Sequence, residues 1–195
     1  MSIGTTESYF ATKVYRVDLV GGSGKRLLNN LLAACGSLAE DDKAGRAWCR
    51  ENSYAGYTSY ASLNDLPSRC PEFADLKNLL DIHVGYFARE LEFDLAGRRL
   101  VLDSLWINVL PQGGYHTAHI HPHSVVSGTF YVAMPTGASA IKFEDPRLAM
   151  MMAAPPRKPK ARRENRTFAT VEPRPGTLLL WESWLARGAA QSRKR

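Results

Sequence analysis

Residues 100–134, LVLDSLWINVLPQGGYHTAHIHPHSVVSGTFYVAM, carry the change of rhythm that decides the fold. Upstream, apolar residues recur at helical spacing. Leu27, Leu28, Leu31, Leu32 and Cys35 form one stripe, and Phe73, Leu76, Leu80, Val84, Phe87 and Leu91 form another. From about residue 98 the period falls to two, the spacing at which a strand presents one face. LVLDSLWINVL predicts a strand, PQGG a turn, YHTAHIH an extended piece, and VVSGTFYVAM a second strand. SAIKFEDP, TFATVEP and TLLLWESW predict three more, with a Pro175–Gly176 turn between the last two. On the N-terminal side, residues 9–20 predict an opening strand that GGSG breaks. Ser23 is expected to cap a helix over about 24–40, residues 41–70 to be irregular, and Pro71 to open a helix running to about 92.

The expected architecture is one domain over residues 1–195, α+β and mainly β. Helical support would occupy about 22–95 and the β core about 98–185, followed by a basic tail over 186–195. No apolar run approaches the roughly 20 residues of a membrane helix. The N-terminus lacks the basic and apolar regions of a secretory signal. Three cysteines, Cys35, Cys49 and Cys70, form no CxxC pair, which fits free thiols in a reducing cytoplasm. The net charge of +6 is uneven: residues 157–166 carry +5 and residues 187–195 carry +4, leaving the remainder at −3. A solvated loop and tail account for that pattern. Nucleic acid is not expected, because no aromatic residues interleave the basic insert as a stacking platform. Residues 149–166 are expected to be an exposed loop between strands.

The segment YHTAHIHPH (115–123) holds four of the five histidines, His116, His119, His121 and His123. The fifth, His83, lies beside the second helical stripe and reads as a core or boundary residue. In an extended chain His119 and His121 share a face while Ile120 takes the other. Two adjacent imidazoles suit one metal ion, and imidazole alone does not choose among iron, zinc, copper and nickel. Solvated histidines gathered by chance are the competing reading. His116 and His123 flank the pair as outer or alternative ligands.

Residues 104–147 resemble the family of 2-oxoglutarate- and Fe(II)-dependent oxygenases. The shared motifs are W-x-N, a glycine-rich turn, H-x-H-P, S-G-x-x-Y-V and D-P-R, in that order. YFATKVY near the start and PGTLLLWESWL near the end are similar to the same family. The resemblance implies a double-stranded β-helix, a jelly-roll of cupin type, with Fe(II) and 2-oxoglutarate as cofactors. It implies His119 as an iron ligand, with His121 where a carboxylate usually stands, and Asn108, Ser127 and Tyr131 near the co-substrate. The implied reaction is oxidation of a C–H bond in a small-molecule or peptide substrate that the resemblance does not name.

The family also expects a second iron histidine a few residues after WESWL, then an arginine for 2-oxoglutarate. This sequence reads LARGAAQSRKR there and has no histidine after His123. His-Glu-Val-Pro codons read one base out of frame can spell Arg-Gly-Ala, as at Arg187–Ala189, which is one account of the departure. The expectations are therefore a dioxygenase impaired in this chain, a non-catalytic jelly-roll binding protein, or a cupin-type metalloprotein using His116, His119 and His121 without 2-oxoglutarate. Residues 186–195 are expected to pack poorly and leave a strand edge open to homodimer formation.

Overall fold

The computed structural model describes residues 4–147 and 153–189. Strand β1 (Val14–Asp18) opens the chain, followed by helices α1 (Gly22–Asp41) and α2 (Lys43–Glu51). Then come strand β2 (Tyr57–Thr58), the single-turn helix α3 (Leu66–Arg69) and the long helix α4 (Pro71–Glu90). Six further strands complete it: β3 (Asn108–Val109), β4 (Val126–Phe130), β5 (Ile141–Glu144), β6 (Phe168–Val171), β7 (Thr177–Glu182) and β8 (Arg187–Ala189). All strand pairs are antiparallel. They form two three-stranded sheets, β1-β7-β4 and β6-β5-β8, and a two-stranded ribbon of β2 and β3.

Strand β7 is the hub. It has β1 on one edge and β4 on the other, and Thr177 through Trp181 are all buried. A strand covered on both faces reads as a continuous apolar run, which LLLW supplies. Leu178 and Leu180 point into the helical layer, with Leu31, Phe73, Leu76 and Phe87. Leu179 and Trp181 point the other way, into a smaller core with Ile141, Phe143 and Leu185. Gly128 in β4 lets the two strands close up, because a Cβ there would lie 2.6 Å from Leu180 Cδ2 and 2.9 Å from the Leu179 carbonyl oxygen.

Several expectations need correction. Four helices are present, not two, and helix outweighs strand among the described residues. Residues 43–51 are helical because Asp42 caps them, its carboxylate accepting from the Gly45 N–H at 2.9 Å. Asp42 also accepts from the hydroxyls of Tyr57 and Ser62, tying the helix to β2. Gly21, not Ser23, occupies the cap of α1, and no side chain closes it. The long strand expected over 100–110 is reduced to Asn108–Val109 and a bridge at Leu105. The tail does not begin with loose chain: Arg187–Ala189 pair with β5, Arg187 opposite Phe143. Residues 190–195 lie outside the described residues, as do 148–152 of the basic insert. The rest of that insert is exposed apart from the half-buried Ala161, with one 3-10 turn at Arg163–Asn165.

Candidate metal centre and its arginine

Residues 115–125 make no regular strand, yet backbone bonds staple them to the end of β7 and the start of β8. His119 and Arg187 exchange N–H to carbonyl bonds of 3.0 and 3.1 Å. The His121 N–H donates to the Ser183 carbonyl at 3.2 Å, and the Ser183 N–H donates to the Val125 carbonyl at 3.0 Å. Gly188 permits this approach, since a Cβ there would meet the backbone of residues 116–118 at 3.1–3.3 Å. His123 takes a positive φ of 70° after Pro122, and its side chain is exposed.

His119 and His121 do lie side by side, with ring centroids 5.4 Å apart, and His116 stands 6.3 Å from His119. Their nitrogens are committed differently. His119 Nδ1 donates to the Thr117 carbonyl at 2.8 Å, which leaves Nε2 as its lone-pair nitrogen. Arg187 Nη2 lies 3.0 Å from His121 Nε2. A guanidinium can only donate, so His121 Nε2 is the acceptor and its proton sits on Nδ1. Nδ1 then donates to Ser127 Oγ at 2.8 Å, and Ser127 Oγ is 2.7 Å from Ser183 Oγ. Trp106 closes the other side of His121, edge-on with centroids 5.7 Å apart. Burial first, then the Arg187 and His119 charges, depress the His121 pKa to about 4, so the ring is neutral at physiological pH. The same causes lower His116, with burial again the largest and His119 next.

The three residues expected near a co-substrate separate. Ser127 is buried and holds His121. Tyr131 packs against the Trp181 cluster, its hydroxyl pKa pushed up to about 12 by burial and drawn down in part by nearby Arg187. Asn108 is exposed and accepts from the Tyr54 hydroxyl at 3.2 Å, which also lies 3.4 Å from His116 Nε2. His83 behaves as a boundary residue, 2.8 Å from the Tyr15 hydroxyl. Sequence reasoning missed Arg187, Ser183, Trp106 and Tyr54. Only Arg187 left a signal, as the charged residue two positions past Leu185 where a histidine was expected.

These residues, so arranged, do not fit an iron ion. An iron–nitrogen bond of about 2.1 Å would use the lone pair that His121 Nε2 gives to Arg187. The guanidinium also places a permanent positive charge beside that nitrogen. Among the described residues no group of three or more His, Cys, Asp or Glu side chains is placed to hold a metal. A separate cleft of about 500 Å³ lies between β1 and β6, lined by Arg16, Arg163, Arg174 and Glu172, away from the histidines.

The fold is similar to that of a Pseudomonas putida prolyl-4-hydroxylase, with a TM-score of 0.59 at 12% identity, over 94% of this chain and 88% of that one. No curated protein matches the sequence. Residues 104–195, which include the histidine segment and β8, match the family described as "Putative 2OG-Fe(II) oxygenase". The second half of the chain is thus similar in sequence to that oxygenase family, and the whole chain is similar in fold to a prolyl hydroxylase.

Proposed function

We propose that this chain keeps the oxygenase jelly-roll but not iron-dependent turnover, and that the group of histidines around Arg187 binds a small molecule. The observation that carries this reading is the Arg187 Nη2 to His121 Nε2 bond of 3.0 Å, which ties up one of the two best metal-ligating nitrogens. A location in the cytoplasm fits the three free cysteines and the lack, among the described residues, of any helix long and apolar enough to cross a membrane. A homodimer is the proposed assembly, because among the described residues β1 and β4 leave unpaired edges on the larger sheet.

Anaerobic titration with Fe(II), with and without 2-oxoglutarate, tests the reading. The expected result is no charge-transfer band and no succinate on admitting oxygen. Arg187→His is expected to raise Fe(II) affinity at least tenfold by removing the cation and adding a ligand. A band and stoichiometric succinate from the unaltered chain would overturn the proposal. They would favour the second reading, a hydroxylase-type dioxygenase acting on an unidentified substrate. The adjacency of the His119 and His121 rings, with His119 Nε2 uncommitted, is the observation on its side.

A further inference from the structure

Arg187 is a largely buried cation without a counter-ion among the described residues. None of the ion pairs among the described residues involves it, and no Asp or Glu lies outside the described residues. Its surroundings are the acceptor nitrogen of His121, the Tyr131 hydroxyl and the face of Trp181, whose ring centroid lies 4.7 Å from the guanidinium carbon. Desolvation lowers its pKa to about 10, still far above physiological pH, so the charge persists. Two buried side-chain donors among the described residues have no acceptor, and they are neighbours: Arg187 Nη1 and Trp181 Nε1. Buried charges in folded proteins are paired, and buried N–H groups are hydrogen-bonded. A fixed cation and two orphaned donors all call for the same partner, a group with negative charge and oxygen lone pairs. Histidine, tyrosine and tryptophan beside them are not acids that could supply it.

We propose that this group is an anion site, and that Arg187, with Trp181 Nε1 beside it, takes a small carboxylate or inorganic oxyanion where the family holds a metal. This rests on the reading that the group binds rather than oxidises. A planar carboxylate matches the forked guanidinium in geometry as well as charge. His121 would act as a positioning residue, since its Nε2 holds one guanidinium nitrogen and leaves Nη1 for the ligand.

The test is a metal-free titration of the full chain with acetate, succinate and inorganic phosphate, followed by melting temperature and tryptophan fluorescence. Acetate and succinate against phosphate distinguish a carboxylate ligand from inorganic phosphate. At least one anion should raise the melting temperature in a saturable way. Arg187→Met should weaken that anion at least tenfold, and should melt no lower than the parent without anion, because it removes an uncompensated buried charge. Arg187→Lys should retain weakened binding, which keeps the test open if the methionine variant does not fold. Absence of a saturable response to all three anions would overturn the proposal, as would undiminished binding by the methionine variant. Neither outcome involves iron, so failure here is separate from the appearance of a charge-transfer band, which would overturn the binding reading itself.

Discussion

Two arginine-bearing regions of this molecule meet opposite fates. In the insert, Arg157, Arg162, Arg163 and Arg166 lie on exposed chain or at its margin, and Arg162 pairs loosely with Glu164 at 3.4 Å, both side chains well exposed. Just past β7, Arg187 is drawn between Trp181, Tyr131 and His121. The difference lies in the neighbours rather than in the residue. The insert has prolines, no apolar partners and like charges that repel, so water solvates each guanidinium. Arg187 follows Leu185, which is buried, and its backbone is fixed between His119 on one side and Phe143 on the other. Strand pairing dictates where its side chain goes before desolvation can object.

That contrast can be broken most severely at the hub. Trp181→Ala removes a wholly buried ring that packs edge-on against Phe143 and under Arg187. A loss of about 3–5 kcal/mol in urea unfolding is expected, enough to unfold a marginal domain. If the loss were under about 1 kcal/mol, the smaller core would not be what positions Arg187.

Ser127→Ala should have the next largest effect. It breaks the relay from His121 to Ser183 and leaves a buried Nδ1–H without an acceptor. A loss of about 1–3 kcal/mol is expected. The Arg187-dependent anion response should weaken with it, since His121 would no longer be held. Unchanged anion binding with lowered stability would limit Ser127 to a structural part.

A pH effect is expected at the opposite end of β7. The Thr177 hydroxyl donates to Asp18, and this bond, with Arg16 nearby, holds the Asp18 carboxyl below its usual range against a smaller opposing effect of burial. A carboxyl lowered in the folded state adds stability above its unfolded pKa of about 3.9, and that increment is lost as pH falls through the folded value. Thr177→Val should therefore cost stability at pH 7 and less at pH 2–3, measured by paired denaturant curves. Equal losses at both pH values would place the effect in packing alone.

The smallest effect is expected in the insert. Replacing Arg157, Lys158 and Lys160 together with alanine should change unfolding free energy by no more than about 0.5 kcal/mol, because exposed charges add little. The same variant should resist trypsin where the parent is cut first. A large destabilisation would show that the insert is not merely solvated.

Much of the frame is legible in the amino-acid sequence. The shift from helical to alternating spacing near residue 98 separates the helical layer from most of the strands, and TLLLWE reads as a strand, although its burial on both faces is known only from the structure. Helix α4 could be read because Pro71 and six spaced apolar residues agree. Helix α2 could not, because KAGRAWCRE is short and has no Leu, Ile, Val or Met stripe, and it is held by the Asp42 cap and by contacts with β2. The adjacency of His119 and His121 was legible from their i, i+2 spacing, a local property of extended chain.

The amino-acid order by itself thus determined the strand at TLLLWE, the long helix α4 and a pair of imidazoles on one face, since each depends on residues a few positions apart. Only the tertiary structure decided what those imidazoles meet. His121 and Arg187 are separated by 66 positions, and no periodicity links them. Their contact arises because the histidine segment is stapled across β7 and β8, and because Gly188 allows the chains to approach. A guanidinium that local sequence presents as one more base in a basic tail becomes, by that register, a buried charge against the lone pair a metal would have used.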